Sequence, residues 1–159
     1  MARANKNEDI DFDNMALDDQ NIYRMISQGD TAGVFQLESS GMTSFMQELQ
    51  PENFEDIIAG IALYRPGPME NIPQYVESRH DNSKTHYDHP MLESILDVTY
   101  GVIVYQEQVM QIVQKLAGFS MGQADILRRA MGDKNPALMA SYEELFLYGG
   151  EDEKGRPID

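Results

Sequence analysis

The sequence predicts a mainly α-helical protein with two short β-prone runs, and two kinds of signal carry this prediction. Several segments have apolar residues at helical spacing, and the clearest stripe is Tyr105, Val109, Ile112, Val113 and Leu116. These segments are bounded by residues that start and end helices. The chain has 159 residues, which is enough for a domain with a substantial core.

Three helices are predicted in the N-terminal part. Asp19 suits the N-cap of a helix over 19–28, and a second helix follows from Ser39 or Ser40 to Leu49. A β-prone run covers 31–37 between them. Pro51 suits the first turn of a third helix. Its apolar stripe consists of Phe54, Ile57, Ile58, Ile61 and Ala62.

A rigid turn and short elements are predicted next. The sequence Arg65-Pro66-Gly67-Pro68 ends the third helix, and its prolines hold Arg65 in an extended backbone at a stiff loop. Short helices are predicted at 73–78 and 90–96, and the second β-prone run covers 101–105.

Three longer helices are predicted toward the C-terminus. The first runs from about Tyr105 and ends at Gly118. The second begins with a capping box of Ser120 and Gln123 and ends at Gly132, which suits a left-handed backbone. Ala124, Leu127 and Met131 share one face of this second helix. A final helix is predicted over 136–147, and residues 149–159 are interpreted as a truncated polar loop.

Charge and composition limit the possible functions. The net charge of −15 argues at face value against nucleic-acid binding. Most lysines and arginines and all three histidines nevertheless lie between 61 and 135, so this middle part is nearly neutral. The acidic ends could be solvated surface or could face a basic partner. One hypothesis is therefore a free-standing acidic helical protein-interaction module.

Targeting signals are not evident. No apolar run approaches the roughly 18 residues of a membrane span, and the N-terminus lacks the apolar core of a secretion signal. The chain contains no cysteine for disulfides or thiolate metal sites. We expect a cytoplasmic location and no membrane partner.

Two adjacent arginines are the strongest candidates for anion binding. Arg128, Arg129 and Lys134 could hold phosphate oxygens, since guanidinium forks match phosphate bidentately. Asp125 lies four residues before Arg129 and could pair with it, whereas Arg128 has no carboxylate at that spacing. Arg65 in the stiff loop is a further candidate.

Other polar groups give weaker signals. The polar face of the helix after Tyr105 carries Gln106 and Gln108, which could meet water or a polar partner. His80, His86, Asp88 and His89 could ligate a metal, but they lack a metal-binding spacing, and we predict no metal site. No phosphate-binding loop or nucleophile motif is present.

Five blocks of this sequence resemble the alpha subunit of bacterial DNA polymerase III, a C-family replicative polymerase. They are GVFQLESSGM at 33–42, LQPENFEDIIA at 49–59, LYRPGPM at 63–69, TYGVIVYQEQVMQI at 99–112 and LAGFSMGQADILRRAMG at 116–132. The resemblance runs from about 10 to about 148, and it implies a fragment at the start of the fingers. It therefore divides the chain into a flexible acidic linker at 1–16, a partial fingers domain at 17–148 and the truncated loop at 149–159.

The resemblance implies an enzyme whose reaction centre lies outside this chain. The catalytic aspartates of the family belong to the palm, which binds magnesium, and none of them is present here. Asp11 and Asp13 form a D-x-D pair but match a variable acidic linker instead. The fragment alone is therefore expected to be inactive. The implied partners are primer-template DNA, the incoming deoxynucleoside triphosphate and the palm of the same subunit. A sliding clamp and other replisome proteins would bind through regions absent from this chain.

The resemblance also implies roles for individual residues. Arg128 and Arg129 match the block that contacts the nucleotide triphosphate in the family. Lys134 matches the second lysine of a trailing pair, whose first position is Asp133 here. Arg65 is a further candidate for phosphate binding. The possible DNA contacts are Arg79, His80, Gln106 and Gln108, although the family has a more basic pattern around 78–81.

Overall fold

The computed structural model describes residues 11, 13–151 and 157–158, and it is mainly α-helical, which confirms the predicted fold class. Most of the predicted linker at 1–16 and of the predicted loop at 149–159 lies outside these residues. The chain divides into two compact units, Met1–Tyr64 and Arg65–Asp159. The boundary falls at the predicted Arg65-Pro66-Gly67-Pro68 turn.

The described residues form eight α-helices in the following order. They are α1 Gln20–Ser27, α2 Ser40–Leu49, α3 Phe54–Leu63, α4 Ile72–His80, α5 Glu93–Leu96, α6 Gln106–Ala117, α7 Met121–Gly132 and α8 Pro136–Tyr148. Short 3₁₀ helices lie at Pro68–Asn71, Asn82–Lys84, Pro90–Leu92 and Asp97–Thr99. Two short antiparallel strands, β1 Gly150–Glu151 and β2 Pro157–Ile158, pair near the C-terminus.

Side-chain caps start the three helices of the first unit. The Asp19 side chain accepts a hydrogen bond from the Asn21 amide, and the Ser39 hydroxyl accepts one from the Met42 amide. Asn53 caps α3, so the helix begins at Phe54. Pro51 therefore lies before the helix and not in its first turn, where it was predicted. Such caps satisfy amide groups that have no partner inside the helix.

The apolar stripe of α3 is not the face that the helix buries. The buried residues of α3 are Asp56, Ala59, Gly60 and Leu63, whereas Phe54 and Ile58 are exposed. This face packs closely on α2, since a Cβ on Gly60 would come within 2.6 Å of the Met46 Cε.

The first β-prone run, 31–37, forms turns instead of a strand. The amide of Val34 donates to the Thr31 carbonyl, and the amide of Leu37 donates to the Val34 carbonyl. The buried Thr31 hydroxyl also donates to the Leu37 carbonyl over 2.8 Å. These local bonds bend the chain on itself and leave Phe35 almost fully exposed.

The second β-prone run, 101–105, also forms no strand. Gly101 has a φ of +82°, and a Cβ there would lie 2.2 Å from the His86 carbonyl oxygen. The Thr99 hydroxyl donates to the Val102 carbonyl over 2.7 Å, which closes a tight turn. The apolar residues Val102 and Val104 are buried, but in an irregular backbone.

Helices α6, α7 and α8 enclose a core of the second unit. Its buried residues are Val113, Ala117, Phe119, Ala124, Leu127 and Tyr142. The rings of Phe119 and Tyr142 meet edge to face with centroids 5.8 Å apart. On α6, Ile112 and Val113 of the predicted stripe are buried together with Gln108 and Ala117, while Leu116 is exposed.

Helix ends confirm one glycine prediction and correct another. Gly118 adopts a left-handed backbone at the end of α6, and its amide donates to the Val113 carbonyl. Gly132 instead remains helical as the last residue of α7. The left-handed residue after α7 is Lys134, with a φ of +51°. The amide of Asn135 then donates to the Ala130 carbonyl and completes the turn.

Candidate functional site

Helix α7 presents the predicted arginines on its solvent side. The predicted capping box is confirmed. The Ser120 hydroxyl accepts from the Gln123 backbone amide over 3.3 Å, and the side-chain oxygen Oε1 of Gln123 accepts from the Ser120 backbone amide over 2.7 Å. The opposite face of α7 is buried and consists of Gln123, Ala124, Leu127 and Ala130. Burial of that face fixes the helix rotation, so Asp125, Arg128 and Arg129 share the other face.

Asp125 binds both arginines at once. Its Oδ1 accepts from Nε and Nη2 of Arg128 at 3.0 and 2.8 Å. Its Oδ2 accepts from Nε of Arg129 at 3.0 Å and also from Nη2 of Arg129. The pair with Arg129 was predicted from the four-residue spacing, whereas the pair with Arg128 spans three residues and was missed. Arg128 indeed has no carboxylate four residues before it, where Ala124 stands, and its partner lies three residues before it.

The arginine pair remains accessible to solvent. The side chain of Arg129 is 65% exposed and that of Arg128 is 35% exposed, while Asp125 is 32% exposed. The hydrogen bonds from Arg128, and after them those from Arg129, hold the pKa of the Asp125 carboxyl below its ordinary value. The three side chains together carry one net positive charge. A surface anion could therefore approach them.

The two other predicted phosphate ligands lie at the ends of helices. Lys134 is exposed two residues after α7 ends, and so it lies near the arginine pair along the chain. Arg65 is exposed in the turn that opens the second unit, where its carbonyl accepts from the Met69 amide. Their joint action with the arginine pair stays a prediction.

The predicted DNA contacts lie on two other helices. Arg79 and His80 form the last turn of α4, and Gln106 is the exposed first residue of α6. Gln108 differs from them because it is only 4% exposed. Its side-chain oxygen Oε1 accepts from the backbone amides of Val104 and Tyr105, each at 2.9 Å.

The side-chain nitrogen Nε2 of Gln108 also donates hydrogen bonds within the protein. It donates to the Thr99 hydroxyl over 2.7 Å and to the Ile95 carbonyl over 3.3 Å. The side chain therefore joins the end of α5, the turn at 99–102 and the start of α6. We assign Gln108 a structural role on this geometry. Its polar character alone gave no signal that distinguished it from Gln106.

Neither a metal centre nor a membrane span emerges from the described part of the chain. No group of three or more His, Asp or Glu side chains there could hold a metal ion, so no metal chemistry is assigned to these residues. His86 lies 3.6 Å from a carboxylate oxygen of Asp88, and both are highly exposed. None of the helices in this part is long and apolar enough to cross a membrane.

Comparison with known proteins identifies the family. A family model described as the bacterial DNA polymerase III alpha subunit finger domain matches residues 1–154. The chain belongs to this finger-domain family. The resemblance predicted from the five sequence blocks is thus confirmed.

Curated relatives agree with this assignment. The finger domain is 56% identical over 142 residues to the DNA polymerase III subunit alpha of Staphylococcus aureus strain Mu50, covering 89% of this chain and 13% of that protein. It is 52% identical over 145 residues to the same subunit of Staphylococcus epidermidis, covering 91% of this chain and 14% of that protein. The chain therefore spans about one seventh of the length of these relatives.

Proposed function

We propose that this finger domain binds the phosphate groups of an incoming deoxynucleoside triphosphate through Arg128 and Arg129. The observation that carries the proposal is the pair of accessible guanidiniums on one face of a capped helix. The reaction would be template-directed DNA synthesis by the polymerase to which the domain belongs. Membership of the finger-domain family supports this function over an acidic interaction module.

The chemistry of the arginines fits this role. A guanidinium offers five N–H donors in a planar fork that matches phosphate oxygens. Asp125 engages Nε and Nη2 of each arginine and leaves Nη1 for another acceptor. Phosphoryl and nucleotidyl transfer depend mainly on positioning and on neutralising charge at the phosphates. Two fixed cations at the phosphate chain would contribute to both.

Other residues extend the proposed site. Lys134 and Arg65 are proposed as additional phosphate ligands, and Arg79, His80 and Gln106 as contacts to primer-template DNA. Base selection would come from template pairing in a closed pocket and not from these side chains. Magnesium would be bound by the palm of the polymerase, and the same protein would act in the cytoplasm with its replisome partners.

Steady-state kinetics test the proposal. In a full-length alpha subunit that carries this finger domain, Arg128→Ala and Arg129→Ala should each lower kcat/KM for nucleotide by about tenfold or more. Lys115→Ala removes a positive charge from neighbouring α6, where Lys115 bonds the Ser94 hydroxyl, and should leave kcat/KM near wild type. An unchanged kcat/KM for Arg128→Ala would remove Arg128 from the site.

A further inference from the structure

One carboxylate controls the geometry of both arginines. Asp125 gives each arginine one oxygen, and each arginine meets that oxygen with its Nε and Nη2 edge. The two guanidiniums are thus fixed to a common point. Exposed ion pairs of this kind contribute little to folding stability, so stability alone does not explain so specific an arrangement.

We propose that Asp125 is a positioning residue for the phosphate site, where it holds the guanidiniums of Arg128 and Arg129 together so that their remaining N–H groups grip one phosphate chain. This inference rests on the proposed function of the arginines. It adds a residue of the opposite charge to the site, with a role that acts through the two cations.

The donors left by Asp125 are sufficient for this purpose. Each guanidinium has five N–H groups, and the carboxylate uses the one on Nε and one of the two on Nη2. Two hydrogens on Nη1 and one on Nη2 remain for each arginine. A triphosphate chain has several oxygens within the span of two such adjacent groups, so it can accept from both.

Fixing the arginines before the nucleotide arrives has a physical advantage. A free arginine side chain has many rotamers, and ordering two of them on binding opposes association. Asp125 is itself ordered by α7, whose buried face and capping box fix its backbone. The arginines are therefore preorganised by an element of the fold, and the nucleotide does not have to order them.

The charge of Asp125 permits a second interpretation that makes the opposite prediction. A carboxylate between two arginines could compete with phosphate, in which case its removal would increase activity. A positioning carboxylate is instead required for the productive geometry, and its removal lowers the rate even though the site becomes more positive. Removal of the negative charge favours ground-state nucleotide binding under both interpretations, so binding does not separate them. The two interpretations are separated by kcat, which falls only if Asp125 positions the arginines.

Kinetics of Asp125→Asn in the full-length alpha subunit provide the first test. Asparagine keeps the size of the side chain but replaces one acceptor oxygen with an NH₂ donor. We expect kcat to fall by about tenfold or more, with a smaller change in the nucleotide KM. Asp125→Glu keeps both oxygens and should recover part of kcat. Asp133→Asn, which removes the same charge from the exposed end of α7, is the matched control and should keep kcat near wild type.

Unchanged or higher kcat in Asp125→Asn would overturn the inference. Arg128→Ala and Arg129→Ala are measured in parallel to separate the two proposals. If the arginine variants are impaired and Asp125→Asn is not, only the positioning role fails. If the arginine variants are also fully active, the proposed function fails and the positioning role fails with it.

A spectroscopic measurement on the 159-residue chain tests the positioning itself. In ¹H–¹⁵N NMR spectra, the Nε–Hε signals of Arg128 and Arg129 should be visible in the wild-type chain, because both hydrogens are bonded to Asp125. Asp125→Asn should shift or broaden both signals together, whereas Asp133→Asn should leave them in place. Identical Nε–Hε signals in wild type and Asp125→Asn would contradict the positioning role.

Discussion

Arg128 and Arg129 are neighbours in sequence, yet their guanidiniums meet the same carboxylate from residues three and four positions away. This arrangement is possible because positions i, i+3 and i+4 lie on one face of a helix. It leaves both arginines accessible. Because their hydrogen bonds lower the pKa of Asp125, that pKa shows whether the two arginines bind the carboxylate. A titration of that carboxyl can therefore detect the arrangement.

The first prediction concerns the pKa of Asp125. Hydrogen bonds from Arg128 and Arg129 hold that pKa below its ordinary value, so the folded pKa is lower than the unfolded one. The stability from this carboxylate is fully present above the unfolded pKa and is lost as the pH falls through the folded pKa. Carboxyl ¹³C NMR should show the pKa rising toward its ordinary value in an Arg128→Ala/Arg129→Ala chain. An identical titration in both chains would contradict the paired geometry.

The second prediction concerns Gln108. Its side chain satisfies the amides of Val104 and Tyr105, and a buried donor that loses its partner costs about 1–3 kcal/mol. Gln108→Ala should therefore lower the free energy of unfolding by about 2 kcal/mol or more, measured by urea denaturation. The control is Gln106→Ala on the exposed first turn of α6, which should change it by less than about 0.5 kcal/mol. Equal stability of the two variants would show that the amide network is unimportant.

At the scale of elements, two glycines of the second unit behave in opposite ways. Gly101 needs its positive φ, and a Cβ there would meet the His86 carbonyl oxygen at 2.2 Å. Gly132 ends α7 in a helical conformation, with no heavy atom within 4 Å of an added Cβ. The same substitution should therefore have opposite signs at the two positions.

The third prediction compares alanine at these positions. Gly101→Ala should destabilise the chain by about 1–3 kcal/mol, because both the backbone conformation and the close contact oppose a side chain. Gly132→Ala should stabilise it by about 0.5 kcal/mol through helix propensity. Thermal unfolding followed by circular dichroism would measure both. A destabilising Gly132→Ala would show that the end of α7 requires glycine.

Helix existence was predictable from the sequence because its signals are local. The caps at Asp19 and Ser120 and the left-handed Gly118 each act within one turn of the residue that carries them. The buried faces were less predictable, because they depend on the neighbouring helix. Asp56 and Gln108 are polar but buried, where they bond backbone amides.

The candidate site was predictable in part for the same reason. The arginines were found from their type and spacing, and the capping box that holds their helix was found from a four-residue pattern. The role of Asp125 as a partner of both arginines required the side-chain conformations. Sequence spacing also placed Gln106 and Gln108 together, although only the fold shows that one is exposed and the other is enclosed.

At the scale of the whole molecule, charge limits what the finger domain can do alone. The net charge of −15 repels the phosphate backbone, while the proposed phosphate ligands form only small positive regions. The domain also spans about one seventh of its staphylococcal relatives. Its proposed role therefore depends on regions that these 159 residues do not include.

The fourth prediction is weak binding and no synthesis by the 159-residue chain. Fluorescence anisotropy with a labelled primer-template should show little binding at physiological salt, and the chain should not extend the primer with magnesium and nucleotides. The full-length subunit carrying the same domain is the positive control. Primer extension by the 159-residue chain would contradict the view that the reaction centre lies elsewhere. Tight binding to a basic protein, with indifference to nucleotide, would instead favour the acidic interaction module.

Single-turnover nucleotide incorporation by the full-length subunit provides the sharpest test of phosphate binding by the two arginines. The rate is measured against nucleotide concentration for wild type, for Arg128→Ala/Arg129→Ala and for Lys115→Ala, which removes one positive charge elsewhere. We predict that the double variant loses about a hundredfold or more in the ratio of maximal rate to nucleotide Kd, and that Lys115→Ala does not. A double variant that incorporates nucleotide as efficiently as wild type would show that these arginines do not bind its phosphates.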